Sequence, residues 1–224
     1  MKRRVRALLA ALICLPLLGA GSAANASAGA KAQWTNVEFS LKPRDQTEPP
    51  WTVRLDATGS GNYSEAGSST QQPLNVSRAT VERIAHGEHR ARVGRCETRQ
   101  KKIAETGQKT IRYTGAEEDA GCTFNYSDDS ELMDTVQVFL AIAETMQAGQ
   151  RLKHDLRYDR LALDAEMDTL LANVKSGGAI EVANIAPVLH SLVDDDHVID
   201  RVRRKAARLL QDSGVPDAGT ASTR

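Results

Sequence analysis

The longest apolar periodicity in the chain runs from Ser130 to Asp155, and it constrains the fold more than any other stretch. Apolar residues recur there at steps of three and four, and the pattern continues at Leu152 and Leu156. The members are Leu132, Val136, Phe139, Leu140, Ala143 and Met146. This spacing is typical of a helix with one buried face. Since strand and turn patterns precede it and shorter helical patterns follow it, we predict a long central helix between an α+β half and a helical half.

The first 26 residues have the organisation of a secretory signal peptide. Four basic residues precede an apolar run over residues 7–20, and small residues then lead to Ala24-Asn25-Ala26, an A-x-A cleavage motif. The run is shorter than the ~20 residues that a membrane-spanning helix needs. We expect cleavage after Ala26, with Ala24 and Ala28 as alternatives, and no transmembrane segment in the mature chain. The Ala- and Arg-rich signal indicates a bacterial protein that is exported to the periplasm or the exterior.

Removal of the signal changes the charge of the chain. The full sequence has 29 Lys and Arg and 29 Asp and Glu, and four of the basic residues lie in the first 26, so the mature chain has 25 basic and 29 acidic side chains and a formal charge of −4. Strong binding to nucleic acid or anionic lipid depends on a net positive field or a large basic patch. We therefore expect no nucleic-acid partner, and an envelope protein or ligand of unknown identity.

Two cysteines remain after export, Cys96 and Cys122. An even pair in an oxidising compartment predicts a disulfide. The closed loop of about 26 residues would contribute on the order of 3.5 kcal/mol in the chain-entropy description. A thioredoxin-like redox pair is disfavoured because its cysteines are separated by only two residues.

Alternating residues predict several strands before the central helix. The predicted strands are Trp34–Leu41, Trp51–Leu55 with a return through residues 62–65 after a Gly59–Gly61 bend, a hairpin of Lys101–Glu105 with Lys109–Tyr113, and Cys122–Tyr126. Residues 66–73 read as a loop. Ser77 has the position of an N-cap for a short helix to about His86, and Gly87 is predicted to end it.

The sequence is similar to small secreted bacterial domains of unknown function. The stretches that carry the resemblance are WTVRLDATGSGNY, SRATVERI, KKIAETGQKTIRY and CTFNY, within about residues 50–146. The resemblance implies a few antiparallel strands with one helix, and it implies no activity and no catalytic residue.

After the central helix, three shorter helices are predicted. The first begins at Asp164 and runs to about Lys175, where Gly177-Gly178 stops it; the second covers about Glu181 to Val193. Asp194, Asp195 and Asp196 are interpreted as the cap of the last, which carries an apolar stripe of Val198, Ile199, Val202, Ala206, Leu209 and Leu210.

The predicted fold class is therefore α+β, with a small antiparallel sheet, one short helix, a long central helix and a C-terminal helical subdomain. The predicted organisation is a signal peptide over 1–26, a disulfide-containing α+β domain over 33–128, a helical region over 129–212 and a tail over 213–224.

His86, Glu88 and His89 form the nearest approach to a metal cluster in the sequence. Two histidines three residues apart can converge on zinc, but a zinc site needs three or four ligands and no third is visible. We favour a solvated loop. The single histidines His154, His190 and His197 are interpreted as surface or interface residues. The Asp194–Asp196 run lacks the glycine and closing glutamate of a calcium loop.

A basic set lies on the last predicted helix and forms the candidate interaction face: Arg201, Arg203, Arg204, Lys205 and Arg208. It could meet an anionic lipid, a cell-wall polymer or an acidic partner. We favour the solvated side of a helix, with cations placed favourably near its C-terminus. Charge reversal of Arg203 and Arg204 should then leave partner binding unchanged.

These observations favour a non-catalytic envelope binding module that uses a sheet edge or the helical half as its contact surface. We expect no catalytic residue and no cofactor. Two alternatives remain, a metal-dependent hydrolase centred on His86, Glu88 and His89, and a structural periplasmic scaffold protein.

Overall fold

The computed structural model describes residues 34–45, 48–94, 96, 106–115 and 119–214. The predicted signal peptide, the strand predicted over residues 101–105 and the last ten residues of the predicted tail lie outside this part of the chain. Within it, the fold is α+β, as predicted, with one antiparallel sheet and a C-terminal group of helices.

The sheet has six strands in the order β4-β3-β2-β1-β5-β6. The strands are β1 Trp34–Lys42, β2 Trp51–Asp56, β3 Ser60–Glu65, β4 Gln72–Asn75, β5 Gln108–Gly115 and β6 Ala120–Phe124. Both edges of β5 are occupied, one by β1 and one by β6. β4 begins at Gln72, within the stretch 66–73 that was expected to be a loop, and its pattern is weak because Leu74 is its one buried residue.

The two faces of the sheet differ completely in chemistry. Residues that alternate along each strand place Phe39, Val53 and Ile111 on one buried face, and these are fully buried. The opposite face is polar, and its centre is the ion pair of Arg54 Nε with Glu38 Oε2 at 2.6 Å. One face of the sheet is therefore the floor of the core, and the other is open.

Helix α1, Arg78–Val93, begins where predicted, with the Ser77 side chain accepting a hydrogen bond from Thr80 N at 3.3 Å. The prediction that Gly87 ends it is wrong. The helix passes through Gly87 and ends at Gly94, which has a φ of 68°. A Cβ at Gly87 would lie 2.6 Å from Thr135 Oγ1, so this glycine serves the close approach of two helices.

Helix α2, Ser130–Tyr158, is the predicted central helix, and Asp129 caps it by accepting from Leu132 N at 3.0 Å. Its buried stripe covers the apolar face of the sheet, where Phe139 stacks on Phe39 with ring centroids 4.9 Å apart. The helix therefore organises the core.

Three further α-helices and a 3₁₀ helix follow: α3 Leu163–Ser176, the 3₁₀ helix Val182–Ile185, α4 Ala186–Asp194 and α5 Asp200–Asp212. The single helix expected from Glu181 is divided, since Pro187 lies in the first turn of α4. The cap position of α3 belongs to Ala162, and Asp164 lies in its first turn.

The interpretation of Asp194, Asp195 and Asp196 as a helix cap is wrong. α5 begins at Asp200 with Ile199 at the N-cap position. Asp195 instead accepts hydrogen bonds from His197 N at 2.8 Å and forms an ion pair with Arg160 Nη2 at 2.9 Å. Ile199, expected in the apolar stripe, is 55% exposed.

A continuous apolar cluster extends from the sheet through α2 into the C-terminal helices, with members from Trp34 to Leu210. The predicted disulfide is present, and it joins Cys96 to Cys122 on β6. No helix in the described ranges is long and apolar enough to cross a bilayer.

Candidate functional site: a cleft between α2 and α4

A cleft of about 650 Å³ lies where the last turns of α2 face α4 and the loop that leads into β4. This volume is in the usual range of ligand sites. The lining residues are Ser68, Thr70, Gln72, Pro73, Met146, Gly149, Gln150, Lys153, His154, Leu156, Arg157, Tyr158, Asn184, Ile185, Pro187, Val188 and Ser191. We call this feature the α2–α4 cleft.

Helix α2 supplies nearly half of the lining, and five of these residues lie on one face. Met146, Gly149, Gln150, Lys153 and Arg157 are connected by spacings of three and four residues, such as 146 to 150 and 149 to 153, so they share one side of the helix. Met146 and Gly149 are buried, whereas Lys153 and Arg157 are exposed. The face therefore changes from apolar at the bottom of the cleft to cationic at its rim.

Gly149 sets how closely the opposite wall approaches. A Cβ at this position would collide with Ile185 Cγ2 and would lie 3.1 Å from Ile185 Cβ. Nearby, Thr145 Oγ1 donates to Ile180 O at 2.7 Å. The absence of a side chain at Gly149 thus lets the 3₁₀ helix lie directly on α2.

Two polar side chains attach the 3₁₀ segment to the sheet and α1, and we call them the clasp: Glu181 and Asn184. The Glu181 carboxylate accepts from Ser77 N at 3.0 Å and from the hydroxyls of Ser77 and Thr80. It therefore complements the N-terminus of α1, where negative charge is favourable. Glu181 has a φ of 58°, the one positive value among the described residues other than glycine.

Asn184 holds the outer edge of β4. Its Oδ1 accepts from Asn75 N at 2.7 Å, and its Nδ2 donates to Asn75 O at 2.8 Å. The side-chain amide thus takes the place of a neighbouring strand at this residue. Since backbone groups alternate along a strand, the Pro73 carbonyl also points outward, and proline has no N–H to offer there.

Behind the cleft, Glu65 links the sheet to α2. Its Oε1 accepts from Tyr63 Oη at 2.7 Å and from Gln150 Nε2 at 3.3 Å. Burial, and next the hydrogen bond to Glu65, raises the pKa of the Tyr63 hydroxyl. The hydroxyl therefore stays protonated and acts as a donor that fixes Glu65.

The charge of the cleft is positive. Its lining includes Lys153, His154 and Arg157 and contains no aspartate or glutamate. His154 Nδ1 lies 3.2 Å from Asp155 Oδ1, so this histidine has a carboxylate neighbour. Lys153 and Arg157 have no carboxylate partner in the described part of the chain. Arg157 instead lies 5.9 Å from the ring of Tyr158, which is 69% exposed.

A second depression, of about 350 Å³, lies on the open face of the sheet. Hydroxyl side chains form a row across it, because Ser64 pairs with Thr52, Thr52 with Ser40, and Ser40 with Thr110. Thr110 and Thr123 continue the row with a hydrogen bond of 3.0 Å. Leu41, Pro50 and Trp51 line the depression beside these hydroxyls, and its volume is about half that of the α2–α4 cleft.

The candidate metal residues lie on α1 and do not converge. Glu88 is buried, and its Oε1 accepts from Arg92 Nη2 at 2.7 Å, while His86 and His89 are exposed. Nearby Glu131 forms an ion pair with Arg90 at 2.7 Å, and this contact lowers the pKa of the Glu131 carboxyl. Within the described ranges, no group of three or more His, Cys, Asp or Glu residues is placed to share a metal ion.

The basic residues predicted on the last helix lie on α5, and most are paired with carboxylates. Arg201 binds Asp164, and Lys205 Nζ lies 2.8 Å from Asp164 Oδ1 and 2.6 Å from Asp168 Oδ1. These pairs tie α5 to α3. Three more pairs are local: Arg203 with Asp196, Arg203 with Asp200, and Arg208 with Asp212. Arg204 is exposed and has no ion pair within the described residues.

The other single histidines lie apart from one another. His154 lines the cleft, His190 is half-buried on α4, and His197 is exposed beside Asp195. Sequence reasoning missed Lys153, Arg157 and Tyr158. The available signal was two cations four residues apart near the end of the long helix, without a carboxylate at a matching step.

Neither the models of known protein families nor the curated proteins include a match to this chain. The geometry of the α2–α4 cleft is therefore the basis for a functional proposal.

Proposed function

We propose that this protein is an exported, non-catalytic binding module of the bacterial envelope and that the α2–α4 cleft is its ligand site. The observation that carries the proposal is the composition of the cleft, which combines an apolar floor with a few polar and cationic groups at the rim. Ligand sites are commonly concave and apolar with a small number of orienting polar groups.

The construction of the cleft supports this proposal. Its walls come from the central helix, the 3₁₀ helix and α4, and the clasp holds the 3₁₀ segment against β4 and α1. A site built on packed elements keeps its shape without a ligand, and this lowers the entropy cost of binding.

The disulfide supports export, because disulfides persist in oxidising compartments. The predicted signal peptide adds to this argument. The mass of the chain recovered from the envelope fraction tests it: a start at Ser27, or close to it, is expected, and an uncleaved Met1 in a reducing compartment would contradict it.

The side chains in the cleft favour binding over catalysis. Histidine is the commonest acid–base residue in enzymes, and the one histidine here, His154, contacts Asp155 at the exposed rim. Within the described residues, no serine or threonine of the lining is hydrogen-bonded to His154. The groups present can orient and retain a ligand.

The direct test is site-specific photocrosslinking in the native host. A benzophenone amino acid replaces Tyr158 at the rim of the cleft and, as a matched control, Tyr126, an exposed tyrosine on the segment after β6. A defined envelope partner is expected from position 158 only. It should disappear when Ile185 and Val188 are changed to Asp, which places charge on the floor of the cleft.

Equal crosslinking from positions 126 and 158, or a product at 158 that persists when the floor is changed, would contradict the proposed site. No product at either position would favour the structural scaffold alternative.

A further inference from the structure

The charge of the α2–α4 cleft specifies the chemistry of its ligand. Two exposed cations, Lys153 and Arg157, lie on its rim, they have no carboxylate partner in the described part of the chain, and no acidic residue lines the cleft. The mature chain as a whole has an excess of acidic residues. A cationic cleft on such a chain complements an anionic ligand.

The floor adds a second requirement. Met146 and Ile185 are buried at the base, and Val188 is half-buried beside them. A small inorganic anion would leave this apolar surface in contact with water, whereas a ligand with both apolar and anionic groups would cover the floor and reach the rim. The volume of about 650 Å³ suits several residues of a peptide.

The spacing of the two cations fits an extended chain. Lys153 and Arg157 are one helical turn apart, a rise of about 6 Å. Alternate residues of an extended peptide are about 6.7 Å apart, so carboxylates at positions i and i+2 would lie opposite the two cations. The residues between them would then point toward the floor.

The β4 edge offers backbone recognition to such a chain. The outward carbonyl of Pro73 can accept an N–H, while Asn184 already occupies the next outward position at Asn75. The edge therefore accepts a short contact and does not allow a long added strand.

We propose that the ligand of the α2–α4 cleft is an extended acidic peptide segment of a partner protein, with alternate carboxylates paired to Lys153 and Arg157 and apolar side chains on the floor of Met146, Ile185 and Val188. This inference rests on the proposed function, namely that the cleft is the ligand site. Nucleic acid is a poorer fit, because two cations neutralise few phosphates.

The probe is a fluorescein-labelled octapeptide in which glutamate alternates with leucine, measured by anisotropy on the purified oxidised protein. Matched peptides replace each glutamate by glutamine or by lysine. The K153Q/R157Q variant should weaken binding of the glutamate peptide about tenfold, since it removes two charge pairs. The R203Q/R208Q variant has the same change in charge on α5, and its affinity should stay within about twofold of the unchanged protein.

Three outcomes would overturn the acidic-peptide proposal. If both variants weaken peptide binding equally, binding depends on the net charge of the protein and not on the cleft. Equal binding of the glutamate and glutamine peptides, abolished by Ile185→Asp, would show that the cleft binds peptides without selecting acid, so the proposed function would stand. Binding to vesicles of anionic phosphatidylglycerol, lost in K153Q/R157Q and without any peptide binding, would assign the cations to a lipid surface.

Discussion

Two sets of cations lie on the helical part of this protein, and they differ in how their charge is compensated. On α5, Arg201 and Lys205 are bound by carboxylates of α3, and Arg203 and Arg208 have acidic neighbours. At the α2–α4 cleft, Lys153 and Arg157 have no carboxylate partner within the described residues and lie beside an apolar floor. A cation that already has a partner holds two helices together, whereas a cation without one can bind a ligand.

The comparison shows why counting charges along the sequence does not reveal which cations are paired in the fold. The α5 set is dense and therefore conspicuous, but the carboxylates that pair with Arg201 and Lys205 come from residues 164 and 168, more than 30 positions away. Among the described residues, the cleft has only the two cations Lys153 and Arg157 on its rim. They differ from the α5 set because no acidic residue in this part of the chain lines the cleft, and this property of the fold is not visible in a local stretch of sequence.

The largest expected effect concerns the scaffold that both cation sets share. Removal of the Cys96–Cys122 disulfide in a C96A/C122A variant should lower the free energy of unfolding by about 3.5 kcal/mol, measured by urea denaturation. Because the bridge is attached to β6, at the opposite end of the sheet from β4, affinity for the glutamate peptide should stay within about twofold while the protein is folded. A large loss of affinity would show that the cleft depends on the bridged edge.

The next effect concerns the clasp, Glu181 and Asn184, which holds one wall of the cleft and is separate from the cations of α5. Glu181→Ala removes an acceptor of three hydrogen bonds and should cost about 2 kcal/mol of stability. Glu181→Gly should cost about 1 kcal/mol less, because glycine tolerates the φ of 58°. Chemical denaturation of both variants tests this order. An equal loss of stability in the two variants would mean that the positive φ at position 181 does not contribute to the difference.

A smaller effect is expected at the contact between Gly149 and Ile185. Gly149→Ala should lower stability by about 1 kcal/mol, since overpacking exceeds the gain in helix propensity. In an Ile185→Ala background the same change should instead stabilise by about 1 kcal/mol. A double-mutant cycle measured by urea denaturation tests the coupling. Additive effects would mean that the two residues do not set the width of the cleft.

The smallest effect on stability concerns the compensation of the α5 cations. Hydrogen bonds from Arg201, and then from Lys205, lower the pKa of the Asp164 carboxyl. A carboxyl with a lowered folded-state pKa stabilises the fold above its unfolded value of about 3.9, and this contribution is lost as the pH falls through the lowered value. The melting temperature of Asp164→Asn should therefore fall less between pH 5 and pH 2 than that of the unchanged protein, because the variant lacks this titrating carboxyl.

The same variant tests the comparison itself, because Arg201 and Lys205 lose their shared carboxylate. The test uses the K153Q/R157Q protein as the background. Adding Asp164→Asn to it should increase its affinity for the glutamate peptide. Asp134→Asn, which makes the same charge change at an exposed position of α2 that has no ion pair within the described residues, is the matched control and should give no gain. No gain at either position would mean that compensation does not decide which cations bind.

Much of the fold follows from local patterns. Period and capping predicted α2 and the start of α1, alternation predicted β1 and β2, and the cysteine count predicted the bridge. The errors involve distant residues. Gly87 has the local appearance of a helix stop, and its use depends on Thr135 of another helix.

The candidate site could not be predicted from local patterns either, because it also depends on residues that are distant in the sequence. The cleft combines residues from 68 to 191. Its shape depends on the contacts of Asn184 with β4 and of Glu181 with the start of α1, each more than 100 positions earlier. Neither partner carries a motif. Among the lining residues, His154 was interpreted as a single surface histidine, and Met146 and Leu156 were assigned to the apolar pattern of the central helix.

The most direct test of the central claim is a charge exchange between cleft and peptide. The K153E/R157E variant should prefer the lysine-containing peptide over the glutamate-containing one, the reverse of the unchanged protein, in the same anisotropy titration. The R203E/R204E variant makes an equal change on α5 and should keep the original preference. An unchanged preference in K153E/R157E, or an equal reversal in both variants, would contradict the assignment of the α2–α4 cleft as the site that selects acidic ligands.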